Sequence, residues 1–204
     1  MMGDSLFVKV WPAIVRNEPP LIGELRRRNL AGLAGRVLEI GAGTGTNFPL
    51  YPPEVTSVVA LEPAEGLRVR AERAATDGRF EVRPERLDEF TSAEPFDAAV
   101  FSLVLCSLPG PEAAVAQVRS LLRPDGELRF LEHVSAEGGM LEGLQKLVDG
   151  TFWPRLFGNC HTHRDAAGMI RSAGFTISAV EDRMLAPAWA PVPSSPLVLG
   201  RATA

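Results

Sequence analysis

The stretch that decides the fold is Val37-Leu38-Glu39-Ile40-Gly41-Ala42-Gly43-Thr44-Gly45-Thr46-Asn47. A short apolar run closes on an acid and then meets three glycines at alternate positions. The run Arg36 to Ile40, bounded by Gly35 and Gly41, reads as a buried parallel strand. Glycine has no Cβ, so the loop after the strand can turn with positive φ and let the backbone come close to a ligand. An apolar strand running into such a loop, with a helix behind it, opens a nucleotide-binding α/β unit.

Working outward, Val55–Leu61, 79–83, Phe96–Leu103, Glu127–Val134, 175–181 and Leu197–Ala202 carry strand patterns. Residues 64–76, 111–123, 139–150 and 163–173 carry helical ones, with Gly174 as the C′ residue of the last. Arg123-Pro124-Asp125-Gly126 is a turn signature. Pro49 and Pro52-Pro53 restrict the helix behind the glycine loop to a short one. Residues 84–94 form a polar connection anchored by Leu87 and Phe90, and 187–196 a Pro-rich loop. The expected fold is α/β: one doubly wound, mostly parallel seven-stranded sheet, helices on both faces, the last strand antiparallel. The chain then divides into a helical cap (1–32), a cofactor-binding core (36–134), a substrate-side helical insertion (135–165) and a closing helix with strands (166–204).

Before the first strand, residues 3–17 form an amphipathic helix interrupted near Pro12. It packs on the domain, closes over the site as a lid, or rests on a membrane surface, the last disfavoured by its few cationic residues. Residues 19–32 form a second helix, and Arg26-Arg27-Arg28 reads as a solvated face.

With 204 residues, 46% hydrophobic and 23% charged, the chain has ordinary globular usage and fits one domain. Its net charge of −4 argues against a nucleic-acid partner, which demands a basic face. Two cysteines, Cys106 and Cys160, make no disulfide framework and no paired metal spacing, so no metal is expected. With no signal peptide and no run of 18 apolar residues, a reduced, cytoplasmic protein is the default.

Dinucleotide enzymes use G-x-G-x-x-G to cradle a pyrophosphate. Here Gly45 falls one residue early for that form, and Glu39 precedes the loop. Glu-x-Gly-x-Gly-x-Gly resembles the first motif of the class I S-adenosylmethionine-dependent methyltransferases. Their cofactor has a sulfonium and an amino-acid end instead of a pyrophosphate, which suits an acid at the strand terminus. Glu62, 17 residues after Gly45 at the tip of the second strand, stands where an acid would hold a ribose diol. The resemblance implies S-adenosylmethionine as cofactor, bound by Glu39, Gly41, Ala42, Gly43, Gly45, Asn47, Glu62 and Pro63. Ser102 and Leu103 would line the same pocket, with Arg86 and Leu87 beside adenine. Asp97 resembles the acid that opens the family's fourth motif.

Leu105-Cys106-Ser107-Leu108, Leu122-Arg123-Pro124-Asp125-Gly126, Phe130-Leu131-Glu132-His133-Val134 and Asn159-Cys160-His161-x-x-Arg164-Asp165 narrow the resemblance. Their order is similar to a small-molecule branch: the thiol methyltransferases of animal microsomes and their bacterial relatives, near the ubiquinone/menaquinone and phospholipid methyltransferases. The microsomal members carry an N-terminal anchor that has no counterpart here, which counts against a membrane-embedded acceptor. The implied activity is direct in-line methyl transfer to a small apolar, thiol-, phenol- or amine-bearing molecule.

A thiol, phenol or ammonium acceptor must lose a proton. His133, His161 and His163 are all expected beside the sheet's C-terminal edge, and His133 and His161 are the candidate catalytic residues. Against them stands the structural role that lone histidines more often have. Cys160 reads as packing or substrate lining, Cys106 as core, and Arg164-Asp165 as an ion pair or helix cap. Phe7, Trp11, Phe152, Trp153, Phe157 and Trp189 are candidate walls of an apolar acceptor pocket, or ordinary packing. Two competing readings remain: a scaffold that binds the cofactor without catalysis, and a nicotinamide-dependent oxidoreductase, which the early Gly45 disfavours. The oligomeric state is not encoded in any pattern.

Overall fold

The computed structural model describes residues 6–187 and 189–204. The element order is α1 (Leu6–Arg16), α2 (Pro20–Leu30), β1 (Gly35–Ile40), β2 (Val55–Leu61), α3 (Glu65–Ala74), β3 (Phe80–Arg83), β4 (Phe96–Ser102), α4 (Pro111–Leu121), β5 (Leu122–His133), α5 (Gly139–Asp149), α6 (Trp153–Leu156), α7 (Ala166–Ser172), β6 (Thr176–Met184) and β7 (Pro196–Thr203). Single 3-10 turns at Phe48–Leu50, Leu87–Glu89 and Leu105–Ser107 fill the connections.

Seven strands form one sheet in the order β3-β2-β1-β4-β5-β7-β6. The first five pair in parallel, and β7 runs antiparallel to both β5 and β6. Strand order reverses between β1 and β4, so the crevice beyond their C-terminal ends is where a ligand belongs in such a sheet.

The apolar runs read from the sequence become central strands because both faces are covered. Leu38, Ile40, Leu61, Phe101 and Phe130 pack against Val115 and Val118 of α4 and Ile170 of α7. Val37, Val58, Ala60 and Val100 point the other way, onto Leu30, Phe48, Tyr51 and Ala71. Each large side chain so buried contributes about 1.5–3 kcal/mol. Ile22 and Leu25 fix α2 over Leu131, Leu197 and Leu199. Leu87 and Phe90 are buried anchors, as their connection requires. Asp97 accepts from the Arg36 amide at 2.7 Å and pairs with Arg123 at 2.8 Å, tying the N-terminal ends of β1 and β4 together, away from the crevice.

Four expectations need correction. α1 is not interrupted: it runs through Pro12, the lost hydrogen bond being offset by the packing of Val8 with Ala64 and Leu67. Residues 3–5 of that expected helix, and residue 188 of the Pro-rich loop, lie outside the described residues. Arg26 is not solvated; it is 4% exposed, while Arg27 and Arg28 do face solvent. The turn at 123–126 is taken up into β5 as an irregularity, with Asp125 at φ 62 and a register shift against β4. β6 runs on to Met184, three residues beyond the expected end, because its pairing with β7 continues to Pro196. Among the described residues no helix is long and apolar enough to cross a membrane.

Candidate active site

A cavity of about 720 Å³ opens at the C-terminal ends of β1 and β4. At one end lies the glycine loop. Gly41 has φ 68, and a Cβ there would come within 2.3 Å of Val104, so only glycine fits between strand and neighbouring loop. The amides of Gly41 and Ala42 donate to the Leu61 carbonyl, which closes the loop onto β2. Gly45 does not line the cavity; it is required for packing, since a Cβ would meet Phe48 and Ala74 at 2.9 Å.

Glu62 lies at the β2 terminus with its two carboxylate oxygens held by the Gly43 amide at 2.8 Å and the Ala64 amide at 2.9 Å. Burial raises its pKa against these bonds. Glu39 is 2% exposed and accepts from Asn47 Nδ2 at 2.8 Å and the Tyr51 hydroxyl at 3.0 Å. Burial pushes its pKa up to about 7, the two hydrogen bonds and Arg26 opposing the rise. Such a carboxylate gains from a cation placed beside it.

Arg26 completes this network. Its guanidinium pairs with Glu18 at 2.7 Å and donates to Asn47 Oδ1 at 3.2 Å and Ser102 Oγ at 3.0 Å. One side chain from α2 thereby joins the ends of β1 and β4. Nothing in the run Arg26-Arg27-Arg28 singled it out; the helical phase did, because Ile22, Leu25 and Arg26 share the buried face of α2. Pro63, Arg86, Leu87, Ser102 and Leu103 also line the cavity, as expected.

Four aromatic residues also line the cavity: Trp153 and Phe157 from the segment before Cys160, and Phe7 and Trp11 from α1, which pack on Ala64 and Leu67 and lie between the Gly43 and Gly158 loops. Phe7 and Trp11 lie 5.0 Å apart, and Trp153 stacks on Phe157 at 4.2 Å. Phe152 and Trp189, expected as further walls, are 50% and 85% exposed and do not line it. Of the three histidines only His133 faces the cavity. His161 sits outside it with Nδ1 4.0 Å from Asp149, and His163 with Nε2 3.4 Å from Glu142. The loop carrying both is pulled back onto α5, whose Asp149 accepts from the Thr162 and His163 amides. Burial and the charge of Arg164 lower the His161 pKa.

Cys106 also lines the cavity rather than the core alone. Glu132 accepts from the amides of Val104, Leu105 and Cys106 at 3.0, 2.9 and 3.3 Å, which fixes the turn after β4. Arg164 donates to the Leu105 and Leu108 carbonyls, and the His161 amide to the Cys106 carbonyl, which brings the 159–164 loop against that turn. Asp165 caps α7 through the Gly168 amide. Cys160 is thereby placed with its sulfur 3.6 Å from that of Cys106. The Cys106 thiol is pushed well up by its contact with Cys160 and by burial.

A family model described as a methyltransferase domain matches residues 15–180. The chain belongs to the methyltransferase family. This methyltransferase is 30% identical to the human thiol S-methyltransferase TMT1B over 183 residues, 86% of this chain and 74% of that one. It is also 30% identical to a phosphatidylethanolamine N-methyltransferase of Cereibacter sphaeroides over 132 residues, 60% of this chain and 64% of the relative. In fold it is similar to the N-methyltransferase NodS of Bradyrhizobium japonicum WM9 in complex with S-adenosyl-L-homocysteine. The TM-score is 0.67 at 18% identity, over 99% of this chain and 89% of NodS. The branch to which the four short motifs pointed is the one found, and the methyltransferase is S-adenosylmethionine-dependent and acts on small molecules.

Proposed function

We propose that this methyltransferase methylates the sulfur of a small apolar thiol. The observation that carries the reading is the lining of the cavity: the aromatic side chains Phe7, Trp11, Trp153 and Phe157 share it with the cluster Cys106, His133 and Cys160. Such side chains exclude water and take up an apolar body, while the polar cluster meets its one reactive group. The kinship with thiol S-methyltransferases supports the same acceptor.

At the cofactor end, Gly41, Ala42, Gly43 and Pro63 let the nucleoside approach the backbone, and Glu62 takes the ribose hydroxyls on its remaining lone pairs. Gly45 acts one step removed, by letting the loop pack. Leu87 and Arg86 flank adenine. Glu39, Asn47 and Ser102, held in register by Arg26, meet the amino-acid end, with Leu103 behind the sulfonium. His133 is the catalytic residue beside the acceptor's reacting sulfur. His161 holds its loop. Methyl transfer is an in-line displacement from a good leaving group, so alignment and desolvation supply most of the rate.

In this reading α1 and α2 form a cap, 36–134 the cofactor core, 135–165 the acceptor-side insertion and 166–204 the closing elements. Two free cysteines support a reducing, cytoplasmic setting. The test is a radiolabelled-methyl screen across thiols, phenols and amines. Transfer to apolar thiols is expected. Transfer confined to phenols or amines overturns the acceptor, and cofactor binding with no transfer to any class leaves a scaffold.

A further inference from the structure

Cys106, His133 and Cys160 come from three separate segments: the turn after β4, the end of β5 and the loop before α7. Their ligand atoms nevertheless converge. Cys106 Sγ and Cys160 Sγ are 3.6 Å apart, and His133 Nδ1 lies 3.7 Å from the first sulfur and 3.8 Å from the second. Tetrahedral zinc with Zn–S of about 2.3 Å and Zn–N of about 2.05 Å separates two sulfurs by about 3.8 Å and a sulfur from a nitrogen by about 3.6 Å. The three observed separations match that figure to within about 0.2 Å.

Their surroundings are those of a built site. Both sulfurs are buried, yet all three residues border the cavity, so protein supplies three positions of a tetrahedron and the cavity leaves room for a fourth ligand. The donor set of two thiolates and an imidazole is soft, which selects zinc over magnesium or calcium. Three protein ligands with one open position is the arrangement of a catalytic rather than a structural zinc site. Both cysteine segments are fixed from behind: Glu132 holds the Cys106 amide, Arg164 holds the Leu105 and Leu108 carbonyls, and Asn159 Nδ2 donates to the Ser107 carbonyl at 2.8 Å. Supports of this kind orient metal ligands.

We infer that Cys106, His133 and Cys160 bind one Zn²⁺ whose open position takes the acceptor's sulfur. This rests on the reading of the acceptor as a thiol. On coordination the acceptor's S–H proton passes to solvent. A lone pair of the bound sulfur then forms the new S–CH₃ bond as the sulfonium C–S bond breaks. That bond's electron pair stays on the departing sulfur, so the products are a methyl thioether and S-adenosylhomocysteine. No metal was legible in the sequence because these ligands lack paired spacing: each successive pair is 27 positions apart.

The test uses the full chain, reduced, stripped with chelator and titrated with Zn²⁺ and, for its spectrum, Co²⁺. Metal content is read by mass spectrometry. About one equivalent of zinc per chain is expected, together with the thiolate-to-cobalt absorption of a two-sulfur site. Loss of a supporting group weakens a metal site by about 10–100-fold, so loss of a ligand in Cys106→Ser or Cys160→Ser must weaken it at least as much. S-adenosylhomocysteine affinity is expected to hold in both variants, which shows that they are folded. His133→Gln provides a third variant that leaves both thiols in place. Background zinc in the reduced wild type, or a full equivalent retained by the Cys106→Ser/Cys160→Ser double variant, overturns the site. Undiminished thiol methylation by metal-free protein overturns its part in the reaction. Stoichiometric zinc with no methylation of any thiol would instead leave the site standing and remove the thiol reading.

Discussion

At the cofactor end of the cavity, Gly41, Gly43 and Glu62 sit at the tips of β1 and β2, which are hydrogen-bonded neighbours from Gly35 to Ile40. At the acceptor end, Cys106, His133 and Cys160 come from a turn, a strand end and a loop, held by Glu132 and Arg164 reaching across. The first end is positioned by the sheet, and its residues recur at fixed short spacing. The second is positioned by side chains that bind the backbone of distant segments. The two ends therefore tolerate different damage.

The sharpest break is Gly41→Val. At φ 68, with a Cβ 2.3 Å from Val104, the substitution strains the backbone and forces the turn after β4 away. Calorimetry is expected to detect no S-adenosylhomocysteine binding; wild-type affinity would show that the loop can open without loss.

Glu39 comes next. Its folded pKa of about 7 stands above the value of 4.5 it has when exposed, so between these the native state binds more protons than the unfolded one. Stability of the ligand-free protein therefore falls as pH rises from about 4.5 to about 7, by about 3 kcal/mol at most. A cationic ligand beside the carboxylate reverses this, so S-adenosylmethionine affinity is expected to rise through the same interval. In Glu39→Gln both slopes flatten. An unchanged melting-temperature profile between pH 5 and pH 8 in the variant would remove Glu39 from the linkage.

Glu62→Ala is expected to weaken the cofactor by about 1–3 kcal/mol, measured by calorimetry, with the acceptor KM unmoved. Wild-type affinity takes Glu62 out of the ribose site.

Trp153→Leu works at the opposite end. It removes one wall and its stacking on Phe157, and should raise the KM for a bulky thiol by about tenfold while leaving cofactor affinity intact. A loss at the cofactor end would mean that the two ends are not independent. The smallest effect is expected from His161→Gln: kcat within about twofold of wild type, because the ring lies outside the cavity. A large drop in kcat would restore His161 to the chemistry.

The sheet and the cofactor loop were legible because their signals are local. Periodicity located every strand, and Glu62 followed from its distance to Gly45. Arg26 was missed because three consecutive arginines hide which one faces inward until the helical phase of α2 is set by Ile22 and Leu25. The acceptor end was half legible. The motifs carrying Cys106, His133 and Cys160 stood out, but that they converge depends on Glu132 and Arg164, whose partners are backbone atoms without sequence identity. His161 was expected in the cavity since it flanks the helix expected to close over the sheet's C-terminal edge; the turn of the backbone at Asn159, with φ 66, and the pull of Asp149 send it the other way.

Two contacts made by α1 reach different loops. Trp11 of α1 stands over Gly43, where a Cβ would lie 3.3 Å from its indole nitrogen, and Phe7, one turn away, presses on Gly158 beside the cysteine loop. A single short helix thus leans on the glycine loop and on the loop before Cys160 together. Any tilt of that helix is therefore felt at both loops at once, so positions 43 and 158, far apart in sequence, share one support.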